Sequence, residues 1–303
     1  MSSTRKIATV GMFDGVHSGH RFLIDQLKQE GINRNLGTLV ISFNQHPLAL
    51  IAPKCAPPML TTASEKEQKI LATGVSECAI INFDQTLQRM TAREFMMMVH
   101  ECYDVDVLIL GFNNRFGSDR LSDIIDYQKE GEKIGITILQ AQELPDTSSS
   151  IIRNLISNKE IKKATEKLGY FYSIEGIVVT GKQIGRTIGF PTANLQPNSD
   201  KLIPPMGVYA TQVTLPDGEQ RPAMLNIGCR PTVDKNNAPI SIEANIFDFS
   251  GDLYDKTIKI HFLDFIREEQ KFNSLEELRN QIAIDKTAVQ KAYYSIINNL
   301  PLL

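Results

Sequence analysis

Two periodicities divide the chain. Over the first 155 residues, short runs of β-branched and aliphatic residues fall at 6–10, 36–43, 78–82, 105–111 and 135–140. Between them, 19–30, 64–73, 91–101 and 122–134 carry apolar residues at three- and four-residue steps. Continuous apolar strands alternating with amphipathic helices predict an α/β domain, a parallel sheet with helices on both faces, binding ligands at the carboxyl ends of its strands. The loop after the first run, GMFDGVHSGH at 11–20, is therefore the first place to look for chemistry.

Beyond a polar, Lys-rich helical stretch at 157–168 the period changes to two, in short runs at 172–180, 208–215, 223–227, 240–247 and 257–263, with a PDG turn at 216–218. Short, evenly spaced strands predict an antiparallel β-barrel or sandwich. A final helix is expected from Ser274 to about 298, opening on a capping box of Ser274 and Glu277. The predicted organisation is a first domain at 1–158, a linker at 159–171 and a second domain at 172–303. A length of 303 residues suits two domains of roughly 150 each. The Lys-rich segment 159–167 reads as a solvated helix face, and Met96, Met97 and Met98 as core filling.

Composition narrows the function classes. Lys plus Arg is 32 against 35 Asp plus Glu, a formal charge of −3, so charge-driven binding of nucleic acid or an anionic membrane is not expected. No segment approaches the ~18 apolar residues of a spanning helix and no leader is legible, which predicts a soluble, cytoplasmic protein. Cys55, Cys78, Cys102 and Cys229 fit no zinc spacing and read as free thiols.

In the first loop, Gly11 and Gly15 let backbone approach a ligand, and Ser18 and Gly19 lie where a helix begins, so unpaired N–H groups face the strand ends. That is an anion site. His17 and His20, one helical turn apart, can both point into it. The stretch G-x-F-D-G-x-H-x-G-H resembles the adenylyltransferase domain of bacterial bifunctional riboflavin kinase/FAD synthetases, within the Rossmann-like nucleotidylyltransferase superfamily. SFNQHP at 42–47, GFNNRFG at 111–117 and SSSIIR at 148–153 fit the same family. Ser150 stands for the family's Thr, and Ser122 where a Gly is usual. The resemblance implies attack of the FMN phosphate on the α-phosphorus of ATP. It also implies His17, His20 and Arg153 as catalytic residues and Gly11, Phe13, Asp14, Gly15, Gly19, His46, Ser148, Ser149 and Ser150 at the nucleotide, with Asn113 at the flavin.

In the second half, GRTIGFPTAN at 185–194, NIGCRPT at 226–232, SIEANIF at 241–247 and IREEQKF at 266–272 resemble the riboflavin kinase module in the same order. Gly185 and Gly189 leave a flap without side-chain obstruction, and the side-chain oxygens of Thr192 and Asn194 are hard ligands suited to Mg²⁺. The resemblance implies that these two hold Mg·ATP and that Gly185, Arg186 and Gly189 contact the nucleotide. It also makes Glu243 the general base and closes Arg267 and Phe272 over the flavin. On its own residues, Glu243 fits equally a solvent-facing carboxylate in an alternating strand. G-I-V-V-T-G-K-Q at 176–183 is a near miss to a P-loop, rejected because its middle is strand-like and Gln183 stands where Mg²⁺ needs a hydroxyl.

The resemblance covers essentially the whole chain. It implies riboflavin phosphorylation in the second domain and FMN adenylylation in the first. Riboflavin, FMN and FAD would be substrates and products rather than prosthetic groups, and ATP with Mg²⁺ the co-substrate. Small molecules would be the only partners, and the chain a monomer or transient oligomer. The alternative is a chain with one activity, its other half a flavin-binding sensor.

Overall fold

The computed structural model describes residues 5–112, 114–181, 184–197, 201–229 and 240–299. The chain divides into two compact units, Met1–Ser149 and Ser150–Leu303.

The first unit runs β1 (Lys6–Val10), α1 (Ser18–Arg34), β2 (Gly37–Phe43), α2 (Pro47–Ile51), α3 (Ala63–Leu71), β3 (Glu77–Ile81), α4 (Gln85–Arg89), α5 (Ala92–Tyr103), β4 (Val105–Leu110), α6 (Ile124–Glu132) and β5 (Thr137–Gln140). All five strands are parallel, in the order β3-β2-β1-β4-β5. Central β1 shows why its sequence is continuously apolar: Ala8 and Val10 pack with Phe95, Met96 and Val99 of α5, while Ile7 packs with Ile24 and Leu27 of α1. Because β2 and β4 flank β1 on opposite sides, the β1–α1 loop lies at the topological switch point, where such sheets open a crevice. Met96 and Met98 fill the core as expected, but Met97 turns outward. Helix α1 passes its expected end because Gly31 is a packing residue: a Cβ there would lie 2.6 Å from Thr38 Cγ2 on β2.

The second unit begins within α7 (Ser149–Ser157), followed by α8 (Ile161–Leu168), β6 (Ser173–Val179), α9 (Ile184–Thr187), β7 (Ala193–Pro197), β8 (Gly207–Thr214), β9 (Gln220–Cys229), β10 (Ile240–Ile246), β11 (Thr257–Arg267) and α10 (Leu275–Ile297). The strands close an antiparallel barrel in the order β10-β7-β6-β11-β8-β9. Val289 and Tyr293 of α10 pack on Val208, Ala210, Met224 and Leu263 of the barrel. The segment expected as a linker carries α8, which buries Ile161, Ala164 and Leu168 and pairs Lys162 with Asp264 of β11 at 2.7 Å. The near P-loop is strand at 176–179, while Lys182 and Gln183 lie outside the described residues. The capping box at α10 is half realised. Ser274 Oγ accepts the Glu277 N–H at 3.1 Å, but the Glu277 carboxylate accepts from Asn273 N–H at 2.9 Å rather than from Ser274.

Candidate functional sites

The β1–α1 loop holds an unusual backbone. Gly15 has φ 81°, and Phe13 (φ 47°) and Val16 (φ 38°) share the left-handed region despite their Cβ atoms. Such conformations persist where surroundings fix them. Buried Asp14 accepts N–H bonds from Leu60 and Thr61 at 3.0 Å and the Thr61 hydroxyl at 3.1 Å, while Thr61 Oγ1 accepts from Gly15 N–H at 3.1 Å. Ser42 Oγ and Lys66 Nζ donate to the Met12 carbonyl at 3.0 and 3.1 Å, and Ser149 Oγ donates to the Asp14 carbonyl at 2.9 Å.

His17 is the N-cap of α1: its Nδ1 accepts the His20 N–H at 3.3 Å. That assigns the ring proton to Nε2, which is left as a donor. The His20 ring stacks on His17 with centroids 3.7 Å apart. Its Nδ1 is buried with no hydrogen-bond partner among the described residues. Burial first, then the neighbouring His17 and Lys66, hold the His20 pKa well below its usual value, so the ring is neutral at pH 7. The first turn of α1 has no acidic residue to oppose an anion at its positive end.

A cavity of about 250 Å³ opens here, lined by Gly11, Phe13, His17, Gly19 and His20 together with Phe112, Asn114, Gln142, Glu143 and Thr147. The structure thus brings five of the expected residues to one wall. Asp14 and Gly15 lie beneath, as scaffold. His46 is not among the lining residues; it caps α2, with Nδ1 accepting Leu48 N–H at 3.1 Å. Ser148 immediately precedes α7, which Ser149 opens; Ser150 and Arg153 lie on that helix in the second unit. Asn113 lies outside the described residues. Asn114, which donates to the Val10 carbonyl, and buried Lys66 were not singled out from sequence. An isolated Lys on an amphipathic helix reads as solvated until its neighbours are known.

In the barrel, antiparallel register sets Glu243 opposite Asn194 of β7 and Asn226 of β9. Thr192 Oγ1 donates to Glu243 Oε2 at 3.3 Å. Asn194 occupies the space a side chain at 181 would take, since a Cβ on Gly181 would meet its Nδ2 at 2.1 Å. A hydroxyl and an amide beside a carboxylate are the hard oxygen donors a Mg²⁺ ion prefers, so these residues fit that ion. Among the described residues no group of three His, Cys, Asp or Glu forms a metal cluster.

A cavity of about 310 Å³ joins Gly185, Thr192, Glu243, Arg267 and Phe272 with Asn226, Asn245, Glu269 and Asp285. Asp285 was not legible in the sequence. It clamps Arg267 through two bonds, Nε to Oδ1 at 2.9 Å and Nη2 to Oδ2 at 2.7 Å, and accepts from Gln281 at 2.8 Å. The Arg267 guanidinium lies 5.9 Å from the Phe272 ring centre. Arg186 is exposed on α9 and Gly189 (φ 84°) is open on its Cβ side; neither lines the cavity. Residues 230–232 of NIGCRPT lie outside the described residues.

Residues 1–154 match the FAD synthetase family and residues 168–293 the riboflavin kinase family. The bifunctional riboflavin kinase/FMN adenylyltransferase of Escherichia coli (strain K12) is 36% identical over 292 residues, 95% of this chain and 92% of that protein. The protein of the same name from Bacillus subtilis (strain 168) is 33% identical over 289 residues, 93% and 90% of the two chains. A crystal structure named as a macrolide-efflux protein from Streptococcus pneumoniae aligns with TM-score 0.85 and 29% identity over 96% of this chain and 95% of that one. Among the described residues of this chain no helix is long and apolar enough to cross a membrane. Two family matches in tandem, and relatives aligned over nearly their whole length, place the chain in the bifunctional riboflavin kinase/FMN adenylyltransferase family.

Proposed function

We infer that the chain converts riboflavin to FAD in two ATP-dependent steps. The barrel unit phosphorylates riboflavin to FMN, and the sheet unit adenylylates FMN with release of pyrophosphate. The observation that carries this reading is that residues of each motif set meet at a cavity of their own unit, Gly11, Phe13, His17, Gly19 and His20 in the sheet unit and Gly185, Thr192, Glu243, Arg267 and Phe272 in the barrel.

In the barrel, Glu243 takes the proton from the terminal ribityl hydroxyl as that oxygen bonds to the γ-phosphorus and the bond to the β–γ bridging oxygen breaks, releasing ADP. Thr192 and Asn194 hold Mg²⁺ with the nucleotide, and the ion neutralises phosphate charge when bound. Gly185 borders the phosphates, Arg267 and Phe272 close over the flavin, and for Arg186 and Gly189 contact with the nucleotide rests on motif resemblance. In the sheet unit a phosphate oxygen of FMN attacks the α-phosphorus and pyrophosphate departs. Positioning and electrostatics dominate such a displacement. The N–H groups opening α1, His17 Nε2 and neutral His20 donate to the phosphates, with Gly11, Phe13 and Gly19 shaping the approach. For His46, Asn113, Ser148, Ser149, Ser150 and Arg153 the assignment rests on motif resemblance. Flavins are substrates and products in this reading, and the setting is cytoplasmic.

Incubating the purified protein with riboflavin, ATP and Mg²⁺ and separating the flavins by chromatography tests it. Both FMN and FAD are expected. Glu243→Gln should abolish FMN formation and spare FAD synthesis from added FMN; His20→Ala should do the reverse. Flavin binding without turnover, or loss of both activities in either folded variant, would refute the assignment.

A further inference from the structure

Lys66 is completely excluded from solvent. It projects from α3, and its ammonium donates to the carbonyl of Met12, inside the anion loop, and to that of Phe43, which ends β2. Packing alone does not call for a charge at this position. Burying an ammonium costs stability, and an apolar side chain of similar volume would fill the space at least as well. Across the Met12 backbone lies a cavity whose described lining includes Glu143 but no Lys or Arg. A polyphosphate there needs positive charge that this wall lacks.

We propose that Lys66 is a positioning residue for adenylyl transfer. From beneath the loop it fixes the Met12 carbonyl, and with it the left-handed turn at Phe13 to Val16, and supplies through that backbone the positive charge the cavity wall lacks. The proposal rests on the adenylylation reading of this cavity. Charge in a dry interior is little screened, so it acts on an anion it does not touch. Burial lowers the Lys66 pKa to about 8, against the raising effect of Asp14. The ionisable groups bearing on it are Asp14 in the loop, His20 on α1 and Cys78 on β3. Glu67, next to Lys66 on α3, acts on Cys78, whose thiol burial pushes up to about 11 and which therefore stays neutral below that pH.

The test measures FAD synthesis from FMN and ATP as a function of pH, in the full chain and in Lys66→Met and Lys66→Gln. In the unaltered protein kcat/KM for ATP is expected to decline as pH rises past about 8. Lys66→Met should lower it on the order of 100-fold at neutral pH and abolish that alkaline limb. Its melting temperature should be unchanged or raised, and riboflavin phosphorylation unaffected. Lys66→Gln, which keeps a donor for the carbonyls without the charge, should also lose the limb and serves where Lys66→Met does not fold. Normal ATP kinetics with the limb intact in a folded variant would overturn the proposal while leaving the adenylylation reading standing. Failure of the unaltered chain to make FAD from FMN would overturn both.

Discussion

His20 stacks on His17, and burial together with that neighbouring imidazole opposes protonation of His20. A folded-state pKa below the unfolded value of 6.5 means that the unfolded chain binds a proton that native His20 refuses. The sheet unit should therefore lose stability as pH falls through that value. Thermal unfolding at pH about 7.5 and about 5.5 checks this, with a shallower decline expected in His20→Gln. Asp14 makes a complementary case. Its carboxylate accepts two backbone N–H groups and a hydroxyl, so Asp14→Asn turns an acceptor into a donor against Leu60 or Thr61. It should cost about 1–3 kcal/mol in denaturant unfolding. At this scale the motifs drew attention to the paired histidines and, through the family resemblance, to Glu243, all of which line cavities. Lys66 and Asp285 stayed hidden because only tertiary packing takes an ordinary helix Lys or Asp out of water.

Among the elements, α10 and β11 meet at the Arg267–Asp285 pair, both side chains largely buried. Asp285→Ala leaves a guanidinium without its carboxylate and should destabilise the barrel unit by about 3–5 kcal/mol, read by chemical denaturation. The approach of β7 to the segment ending at Gly181 gives a sharper result. Gly181→Ala places a Cβ against the Asn194 amide and should impair FMN formation and raise the Mg²⁺ requirement, with FAD synthesis from FMN unchanged. Strands and helices of strong period fell where the sequence placed them. Strand β7 was missed because five residues ending in Pro carry too little pattern, and β9 starts at Gln220 rather than at 223 because polar Gln220, Arg221 and Pro222 pair with β8 through their backbone without an apolar signature. Helix α1 runs past 30 to Arg34, and the close approach of β2 that calls for Gly31 cannot be read from α1 alone.

On the scale of the whole molecule, the change of period near residue 170 separates a parallel sheet from a closed barrel, and each fold has a cavity lined by some of its own motif residues. A net charge of −3 does not argue against phosphate binding, because a helix N-terminus, imidazole N–H donors and one buried ammonium are gathered at the first loop whatever the sum over the chain. The central claim is that the two units transfer different phosphorus atoms of ATP. Following label from ATP marked separately at the α- and γ-phosphorus, with riboflavin as the only flavin supplied, tests it directly. The γ-label should enter FMN and persist in FAD, and the α-label should enter FAD alone. Appearance of α-label in FMN, or FAD formed without α-label, would contradict it.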